Sequence, residues 1–321
     1  MSSLAMSAIL FRSGFSQQGI KRQDIMTSTG QSTRDGVVVR EVAITAREEA
    51  TAAATATGIE IREVRTADGA REIIALLDRV WEIGAGKSHL DQGLVVALAH
   101  AGNYVSVALA DGEPVGAGIG FFGAPPGRNL HSHIVGVLPD AASRGIGKAL
   151  KLHQKAWCLD RGITEMTWTF DPLVSRNAYF NLHQLRVEAT AYYVDFYGEM
   201  KDGINSGQPS DRMLVTWRLD RTPPSRPDSQ RQVDVLSVGS GETPRPARIA
   251  VADAFPDADA DAGSTARVEL PRDIEAIRKA DPDLARQWRI ALRDALTGLL
   301  DEGWRIVDFE KNGTYLLERK A

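Results

Sequence analysis

The chain has 321 residues, 43% of them hydrophobic and 25% charged, which is typical of a soluble globular protein with roughly two domains. Its 38 Lys and Arg residues are outnumbered by 42 Asp and Glu residues, and the net charge of −4 argues against a general nucleic-acid-binding surface. The single cysteine, Cys158, excludes an intrachain disulfide, and no Cys/His cluster has zinc spacing. No apolar run reaches the ~18–20 residues that span a bilayer. We therefore expect a cytoplasmic protein that binds neither nucleic acid nor membranes.

The N-terminal segment, residues 1–57, is rich in Ser, Thr, Gln, Gly and Ala and lacks a clear apolar period. This composition predicts a disordered tail. An upstream start codon is the alternative interpretation, with Met6 or Met26 as the true first residue. Residues 47–57 have a composition that also permits transient helix.

From Ile59 onward, apolar spacing predicts alternating strands and helices. Asp68 is the expected cap of the first helix, and Asp111-Gly112 indicates a hairpin. Strands are predicted at 59–64, 104–109, 115–122, 130–138, 166–170, 187–194 and 213–219, and helices at 68–81, 91–99, 146–162 and 177–185. The order β-α-α-β-β-β-α-β-α-β-β predicts an α/β sandwich with a mixed sheet rather than regular βαβ repeats.

Beyond this region, residues 221–247 are rich in Pro, Ser, Arg and Gly and are predicted to be a linker. A domain at 58–220 would then be followed by a small α+β module at 248–321. The module is predicted to contain a strand at 268–270, an amphipathic helix at 284–299 and a closing hairpin. The apolar stripe of that helix is expected in the core, with a homodimer face as the alternative.

The most informative segment is 135–150, in which a strand leads through a short loop into a helix. The loop contains Gly145-x-Gly147, and glycines allow a ligand to approach the backbone closely. The free N–H groups and the dipole of the first helical turn favour an anion there. Arg144 and Lys148 add positive charge. The segment predicts a cradle for a diphosphate, and a plain strand–loop–helix connection is the alternative.

A second glycine-rich run, residues 116–120, looks like a dinucleotide-binding motif. Its spacing is Gly-x-Gly-x-Gly, and it falls within a predicted hairpin strand. We therefore reject it as a nucleotide site.

The motif around the cradle consists of Val137-x-Pro139 followed by Arg144-Gly145-x-Gly147-x-x-Leu150. It resembles the acyl-CoA cradle of the GNAT acyltransferase superfamily, and the order of elements over residues 59–219 fits the same superfamily. The resemblance implies the GNAT fold, with a mixed, mostly antiparallel sheet. It also implies acetyl-CoA or another acyl-CoA as cosubstrate, and no metal.

The resemblance further implies that the strand before the cradle splays from its neighbour and pairs with the pantetheine arm of CoA. That role falls to Val135, Gly136 and Val137. The amides around the diphosphate would come from Arg144, Gly145, Ile146, Gly147 and Lys148. The family often has Gln or Arg three positions before the first glycine, where this chain has Ala142.

Residues 171–182 resemble the helix that flanks the CoA thiol in this superfamily, which implies that Asn177 contacts the cosubstrate. Many members place a tyrosine late in this helix as the acid that protonates the departing thiolate. Leu182 occupies that position here. Tyr179 is the candidate replacement acid, with His183 and Tyr192 as alternatives.

Two histidines, His131 and His133, lie in the predicted strand that leads to the cradle. By the period of two, His131 and His133 are predicted to share one face with Val135 and Val137. Many GNAT enzymes carry a carboxylate base near the position of His133, and a neutral imidazole can also accept a proton from an amine. His131 is assigned to substrate binding. A structural role, or a shared metal ion without a third ligand nearby, are the alternatives.

The segment 209–212 resembles a branch of the superfamily that also has an additional C-terminal module. Arg212 is a candidate to bind a substrate or acyl carboxylate as a bidentate pair. A surface pair with Asp211 is the alternative. The resemblance to this branch implies amino-acid acceptors and either acetyl or succinyl donors.

Together these features predict an acyltransferase that moves an acetyl or succinyl group from acyl-CoA to the amine of a small molecule, such as an amino acid. Direct attack is expected, because Cys158 is poorly placed for an acyl-enzyme. The alternative is a non-catalytic acyl-CoA sensor or scaffold, which the missing acid favours. A third hypothesis makes the C-terminal module a separate partner-binding domain.

Overall fold

A computed structural model of the chain describes residues 29–84, 87–88, 90–124, 127–198, 208–223, 231–240, 243–256 and 263–319. The chain divides into two compact units, residues 1–38 and residues 39–321. The described part of the first unit, residues 29–38, is helical. The elements discussed below belong to the second unit, apart from the first ten residues of α1. Among the described residues, no helix has both the length and the apolar character needed to cross a membrane.

The first sheet has seven strands in the order β1-β2-β3-β4-β5-β7-β6. All neighbours are antiparallel except β4 and β5, which are parallel. This confirms the predicted mixed, mostly antiparallel sheet. The strands are β1 (Glu60–Glu63), β2 (Tyr104–Ala110), β3 (Glu113–Phe122), β4 (Asn129–Val137), β5 (Glu165–Phe170), β6 (Glu188–Tyr193) and β7 (Arg212–Arg218).

Helices cover both faces of this sheet. The helices are α2 (Ala67–Val80), α3 (Gln92–His100), α4 (Ile146–Leu159) and α5 (Ser175–Ala178), which continues as a π-helix (Tyr179–Gln184). Alternate residues of β2 show the layering: Val105 and Val107 pack with α2 and α3, whereas Ala108 packs with α4. The predicted cap of α2 was wrong by two residues, because the Thr66 hydroxyl, and not Asp68, accepts the Gly69 N–H.

The hairpin between β2 and β3 confirms its sequence signal. Asp111 and Gly112 have φ of 51° and 83°, as a two-residue type I′ turn requires. On β3, the glycines of the rejected dinucleotide-like run lie under α4. A Cβ on Gly116 would lie 3.2 Å from the Leu150 side chain, and one on Gly120 would lie 3.0 Å from that of Gln154. The run therefore allows α4 to pack closely on the sheet.

The predicted disordered tail was wrong from Thr29 onward, where the structure has the helix α1 (Thr29–Thr57). In α1, the side chains of Ala43, Ala46 and Ala50 are buried. The helix runs antiparallel to α4, with Arg47 paired to Asp160 and Glu49 paired to Lys155. The alanines that contributed to the composition of the predicted tail are helix formers whose small side chains permit close packing. Residues 1–28 of the predicted tail lie outside the described residues.

The predicted linker, 221–247, was also wrong in its described residues. It contains β8 (Arg231–Val238) and the start of β9 (Pro246–Arg248). Val235 and Leu236 are fully buried, and β8 is an interior strand of a second sheet with the order β11-β12-β10-β8-β9. Its remaining strands are β10 (Ser264–Glu269), β11 (Trp304–Glu310) and β12 (Thr314–Arg319). Flanking Pro, Ser and Arg residues hid the apolar pattern of β8.

The C-terminal module also contains α6 (Val251–Ala254), α7 (Ile274–Ala280) and α8 (Pro282–Asp301). The predicted apolar stripe of α8 is confirmed as core. Of its members, Leu284, Trp288, Ala295 and Leu299 are buried within the chain, and Ala291 is partly buried against the same core. Because these side chains are already covered, the stripe provides no free dimer face, and a homodimer stays a prediction without this support.

The module packs directly against the first sheet. One apolar cluster contains residues of both, such as Leu173 and Leu182 with Trp288 and Tyr315. Buried ion pairs reinforce this contact: Asp171, after β5, is bound by Arg278 and Arg289 of the module.

Deleting residues 248–321 is therefore expected to abolish cooperative folding rather than release a stable acyltransferase domain. The deletion would expose the shared apolar cluster and leave Asp171 buried without its arginines. Size-exclusion chromatography and thermal melting of the shortened protein, with the full chain as control, test this expectation. A monodisperse protein with a sharp melting transition would show instead that the module is a separate domain.

Candidate functional site

The parallel strands β4 and β5 pair over three residues only. Asn129, Leu130 and His131 pair with Glu165, Met166 and Thr167, whereas β4 continues to pair with β3 as far as Val137. Residues 132–137 of β4 therefore have a backbone edge that β5 does not cover. We call this gap the β4–β5 opening. It confirms the splay expected for the strand before the cradle.

A β-bulge begins the opening. The β3–β4 register shifts so that Ile119 pairs with Ile134 but Phe121 pairs with His131, which leaves Ser132 and His133 opposite one residue of β3. A bulge of this kind bends a strand and increases its twist, so that it separates from its neighbour. The bulge thus accounts for the divergence of β4 from β5.

Beyond Val137, the chain forms a single 3-10 turn (Pro139–Ala141) and then enters α4 at Ile146. Gly145 has φ of 88° and precedes the helix without any side-chain cap. The N–H groups of the first turn therefore have no partner within the helix. A Cβ on Gly147 would meet only Val137 Cγ2, at 3.9 Å, whereas one on Gly145 would lie 3.3 Å from Thr57 Cγ2 of α1. The bend is therefore open at Gly147 and bordered by Thr57 at Gly145.

Two cationic side chains lie beside this bend. Arg144 and Lys148 are exposed, and neither forms an ion pair with a described residue. Arg144 Nη2 donates to the backbone oxygen of Thr57, at the end of α1. Amide hydrogens, the positive end of a helix and uncompensated cations all favour an anion at this position.

The bulge corrects one prediction about the histidines. Val135 and Val137 pack toward α4, whereas His131 pairs with Phe121 on the opposite face. The four residues therefore do not share a face, because the two-residue bulge breaks the period of two. The rings of His131 and His133 remain neighbours, with centroids 6.1 Å apart.

The environment of His131 keeps its imidazole neutral. Burial, together with the nearby His133 and Lys151, lowers the pKa of His131 to about 4. Its Nδ1 lies 3.4 Å from Thr167 Oγ1. His133 is exposed at the bulge. Across the described ranges, no group of three or more His, Cys, Asp or Glu side chains could hold a metal ion.

A row of contacts on one face of the sheet leads from His131 to Arg212. Thr167 and Thr169 lie two residues apart on β5 and therefore share a face. Thr169 Oγ1 is 3.2 Å from the hydroxyl of Tyr197. The Arg212 guanidinium lies 5.3 Å from the centre of the Tyr197 ring. The structure thus brings the two predicted substrate-binding residues to the same side of the sheet.

Arg212 and Asp211 do not form the surface pair that was the alternative interpretation. Both residues are buried. Arg293 binds the Asp211 carboxylate with two nitrogens, at 2.8 and 2.9 Å, and Tyr192 donates to the same group. Arg212 Nη1 donates to the Asp211 backbone oxygen, and burial lowers the pKa of Arg212.

The helix expected to flank the CoA thiol is short and continues as a π-helix. Asn177, in α5, is half-buried. Leu182 is buried in the core, so the position of the family's tyrosine is apolar. Tyr179 stacks on His183, whose Nδ1 lies 3.1 Å from Asp308 of β11. These contacts place Tyr179 against the C-terminal module, and its role as an acid stays a prediction.

A buried polar group that was not predicted from the sequence lies beneath the opening. Lys151 and Gln154 of α4 are fully covered, together with Ser132 of β4. Helical spacing could have predicted this burial. Lys151 and Gln154 precede the core residue Cys158 by seven and four positions, so all three lie on the same face of α4. The prediction that Cys158 lies in the core is confirmed, and burial raises the pKa of its thiol to about 12.

Residues 69–181 match the model of the acetyltransferase (GNAT) family. This match runs from α2 to the π-helix and includes the β4–β5 opening and the cradle. Over these residues the chain is similar to the GNAT acetyltransferase family, as the sequence motifs predicted. A comparison with curated proteins found no match.

Several solved structures are similar to this chain. A GNAT-family acetyltransferase from Desulfovibrio desulfuricans shares 14% identity over 50% of this chain and 99% of its own, with a TM-score of 0.41. The Salmonella typhimurium protein yncA, solved with acetyl-CoA, shares 16% identity over 52% and 97%, with a TM-score of 0.42. Arabidopsis thaliana Naa50, in complex with a bisubstrate analogue, shares 19% identity over 50% and 98%, with a TM-score of 0.38.

Proposed function

We propose that this protein is an acyl-CoA-dependent N-acyltransferase that transfers an acetyl or succinyl group to the amine of a small molecule, such as an amino acid. The observation that carries the proposal is the β4–β5 opening leading directly to the uncapped start of α4. The free strand edge suits an extended amide-containing chain, and the helix start suits a diphosphate. CoA contains both in this order.

The residues present fit this cosubstrate. The backbone of Val135–Val137 would pair with the pantetheine arm. The amides from Arg144 to Lys148 would surround the diphosphate, and Asn177 would contact the cosubstrate from α5. Bound acyl-CoA supplies a thioester as the electrophile. The free backbone N–H groups of β4 near the bulge would polarise the thioester carbonyl.

The acceptor would approach from the face that carries the histidines and Arg212. His133 would take a proton from the acceptor ammonium, and the freed amine would attack the thioester carbon. As the amide forms, the C–S bond breaks and CoA leaves as a thiolate. The thiolate is protonated by Tyr179, the candidate acid, and the second proton lost by the nitrogen restores that acid. His131 is neutral at pH 7 and would bind substrate as a hydrogen-bonding group. Arg212 would hold an acceptor carboxylate. Direct attack is favoured because the raised pKa of Cys158 keeps its thiol protonated and inert.

A non-catalytic acyl-CoA sensor or scaffold is the second candidate. The buried Leu182, at the position where many family members have their acid, favours it. This candidate predicts CoA binding without release of free CoA thiol across a panel of amines. The acyltransferase predicts thiol release with at least one amine of that panel.

Calorimetric titration of the full chain with acetyl-CoA, succinyl-CoA and free CoA tests the property that both candidates share. We expect saturable binding of all three, because the cradle contacts are common to them. Free adenosine, which lacks the diphosphate, is the matched control and should bind far more weakly. An absence of heat with every CoA species would rule out both candidates.

A further inference from the structure

The amine of Lys151 is buried at the closed end of the β4–β5 opening. Only 3% of this residue is exposed. Its Nζ donates to Ser132 Oγ at 2.8 Å and lies 3.5 Å from the centre of the Trp168 ring. No carboxylate of a described residue lies within ion-pair distance of it. Burial lowers the pKa of Lys151 well below its ordinary value.

Gln154 provides a second, independent observation at the same place. It follows Lys151 by three positions on α4, so that the two side chains are neighbours. Gln154 is fully buried, and neither its amide nitrogen nor its amide oxygen has a hydrogen-bond partner. Buried amides in folded proteins are normally satisfied. The unused groups indicate that a polar ligand completes this cluster.

The position of the cluster defines which part of a ligand would reach it. Ser132 and Trp168 are the first residues beyond the last β4–β5 pair, His131 with Thr167. Five residues of strand, about 17 Å, separate Ser132 from Val137 at the cradle. A cosubstrate whose diphosphate lies at the cradle and whose arm follows β4 would point its acyl group at Lys151.

Resting on the proposed function, we propose that the acyl donor ends in a carboxylate, as succinyl-CoA does, and that Lys151, Ser132 and Gln154 bind that carboxylate. A buried cation needs a counter-charge, and a carboxylate can accept from the ammonium and from the Gln154 amide at once. A plain acetyl or alkyl chain would leave these groups unpaired. Arg212 lies on the opposite face of the sheet from this cluster, where the acceptor is proposed to approach.

The ionisable groups near Lys151 do not supply a negative charge that could pair with its ammonium. His131 of β4 is neutral at pH 7, and the Cys158 thiol of α4 is protonated. Neither provides a negative charge for the ammonium. The charge must therefore come from the ligand, or the amine remains neutral.

Calorimetric titration of the full chain with succinyl-CoA and butyryl-CoA tests the proposal, because the two acyl groups have equal length and differ in the terminal carboxylate. We expect at least tenfold tighter binding of succinyl-CoA at pH 7. Lys151→Met should reduce this ratio to near one. Lys155→Met is the matched control: Lys155 lies one turn further on, pairs with Glu49, and its loss should preserve the ratio.

Equal affinities for the two donors in the unaltered protein would overturn this inference and leave the proposed function intact. No binding of either donor would overturn the proposed function itself. If Lys151→Met fails to melt cooperatively, Gln154→Leu serves as the second variant. It should reduce the preference severalfold, and an undiminished preference in this folded variant would exclude the cluster as the carboxylate site.

Discussion

Replacing Asp171 by alanine is expected to destabilise the folded chain by about 3–5 kcal/mol, the usual effect of removing one partner of a buried ion pair. The Asp171 carboxylate binds Arg289 at 2.5 and 2.7 Å and Arg278 at 2.6 Å. Asp171 and Arg289 are buried, and only 8% of the Arg278 side chain is exposed. Its loss would leave two guanidinium groups uncompensated between the first sheet and the C-terminal module. Urea denaturation followed by tryptophan fluorescence measures the change in the free energy of unfolding.

An exposed ion pair provides the matched control. Glu165→Gln removes the partner of Arg218 on the surface of the first sheet, and we expect about 0–1 kcal/mol. Similar unfolding free energies for Asp171→Ala and Glu165→Gln would contradict a structural role for the buried cluster.

The buried cluster also sets a dependence on pH. Burial alone raises the pKa of Asp171, but attraction to Arg289 and Arg278 outweighs it and holds this pKa well below its ordinary value of 3.8. A lowered folded-state pKa contributes stability above pH ~4 that is lost as the pH falls through the folded-state value. The difference in stability between the unaltered protein and Asp171→Ala should therefore narrow in acid.

Replacing Gly147 by glutamate is expected to weaken CoA binding at least tenfold, or about 1.4 kcal/mol, while the fold is retained. The added carboxylate would stand at the start of α4, beside the position proposed for the diphosphate. A negative charge in the first helical turn stabilises the helix by about 0.3–1 kcal/mol, so the protein should melt at the same or a higher temperature. Calorimetry and thermal melting measure the two effects separately.

Gly147→Ala is the control for this substitution. The nearest atom to its Cβ would be Val137 Cγ2, at 3.9 Å, which is ordinary van der Waals contact. Alanine also favours the helix over glycine by about 1 kcal/mol. We expect a slightly more stable protein with CoA affinity within a few-fold of the original. Unchanged CoA affinity in Gly147→Glu would place the diphosphate elsewhere.

The predictions that the structure confirms rest on local signals. The order of elements in the first sheet follows from apolar periodicity, and the strand–loop–helix geometry at 135–150 follows from glycines between a strand and a helix. Both depend on neighbouring residues only. Asp111-Gly112 was correctly assigned to a hairpin turn for the same reason, because the turn type requires positive φ at two adjacent positions.

The predictions failed where distant contacts decide the structure. Residues 39–57 belong to a helix that packs on α4, and β8 lies between β9 and β10, so composition alone could indicate neither. The β4 bulge places His131 and Val135 on opposite faces of the sheet, and no periodicity in the sequence indicates that bulge. The proposed role of Lys151 depends on its contact with Ser132 of β4, which only the fold brings to it.

The helix α1 covers one face of the first sheet, and β1 pairs with the edge of β2. Both contacts limit how the protein can be shortened for crystallisation. A protein that starts at residue 69, where the family match begins, would lack both elements. Removing β1 would uncover the hydrogen-bonding edge of β2, and removing α1 would uncover the apolar surface around Ala108. Bare strand edges pair with other chains, so such a protein would be prone to aggregate. A homology boundary is thus a poor guide to where this polypeptide can be cut.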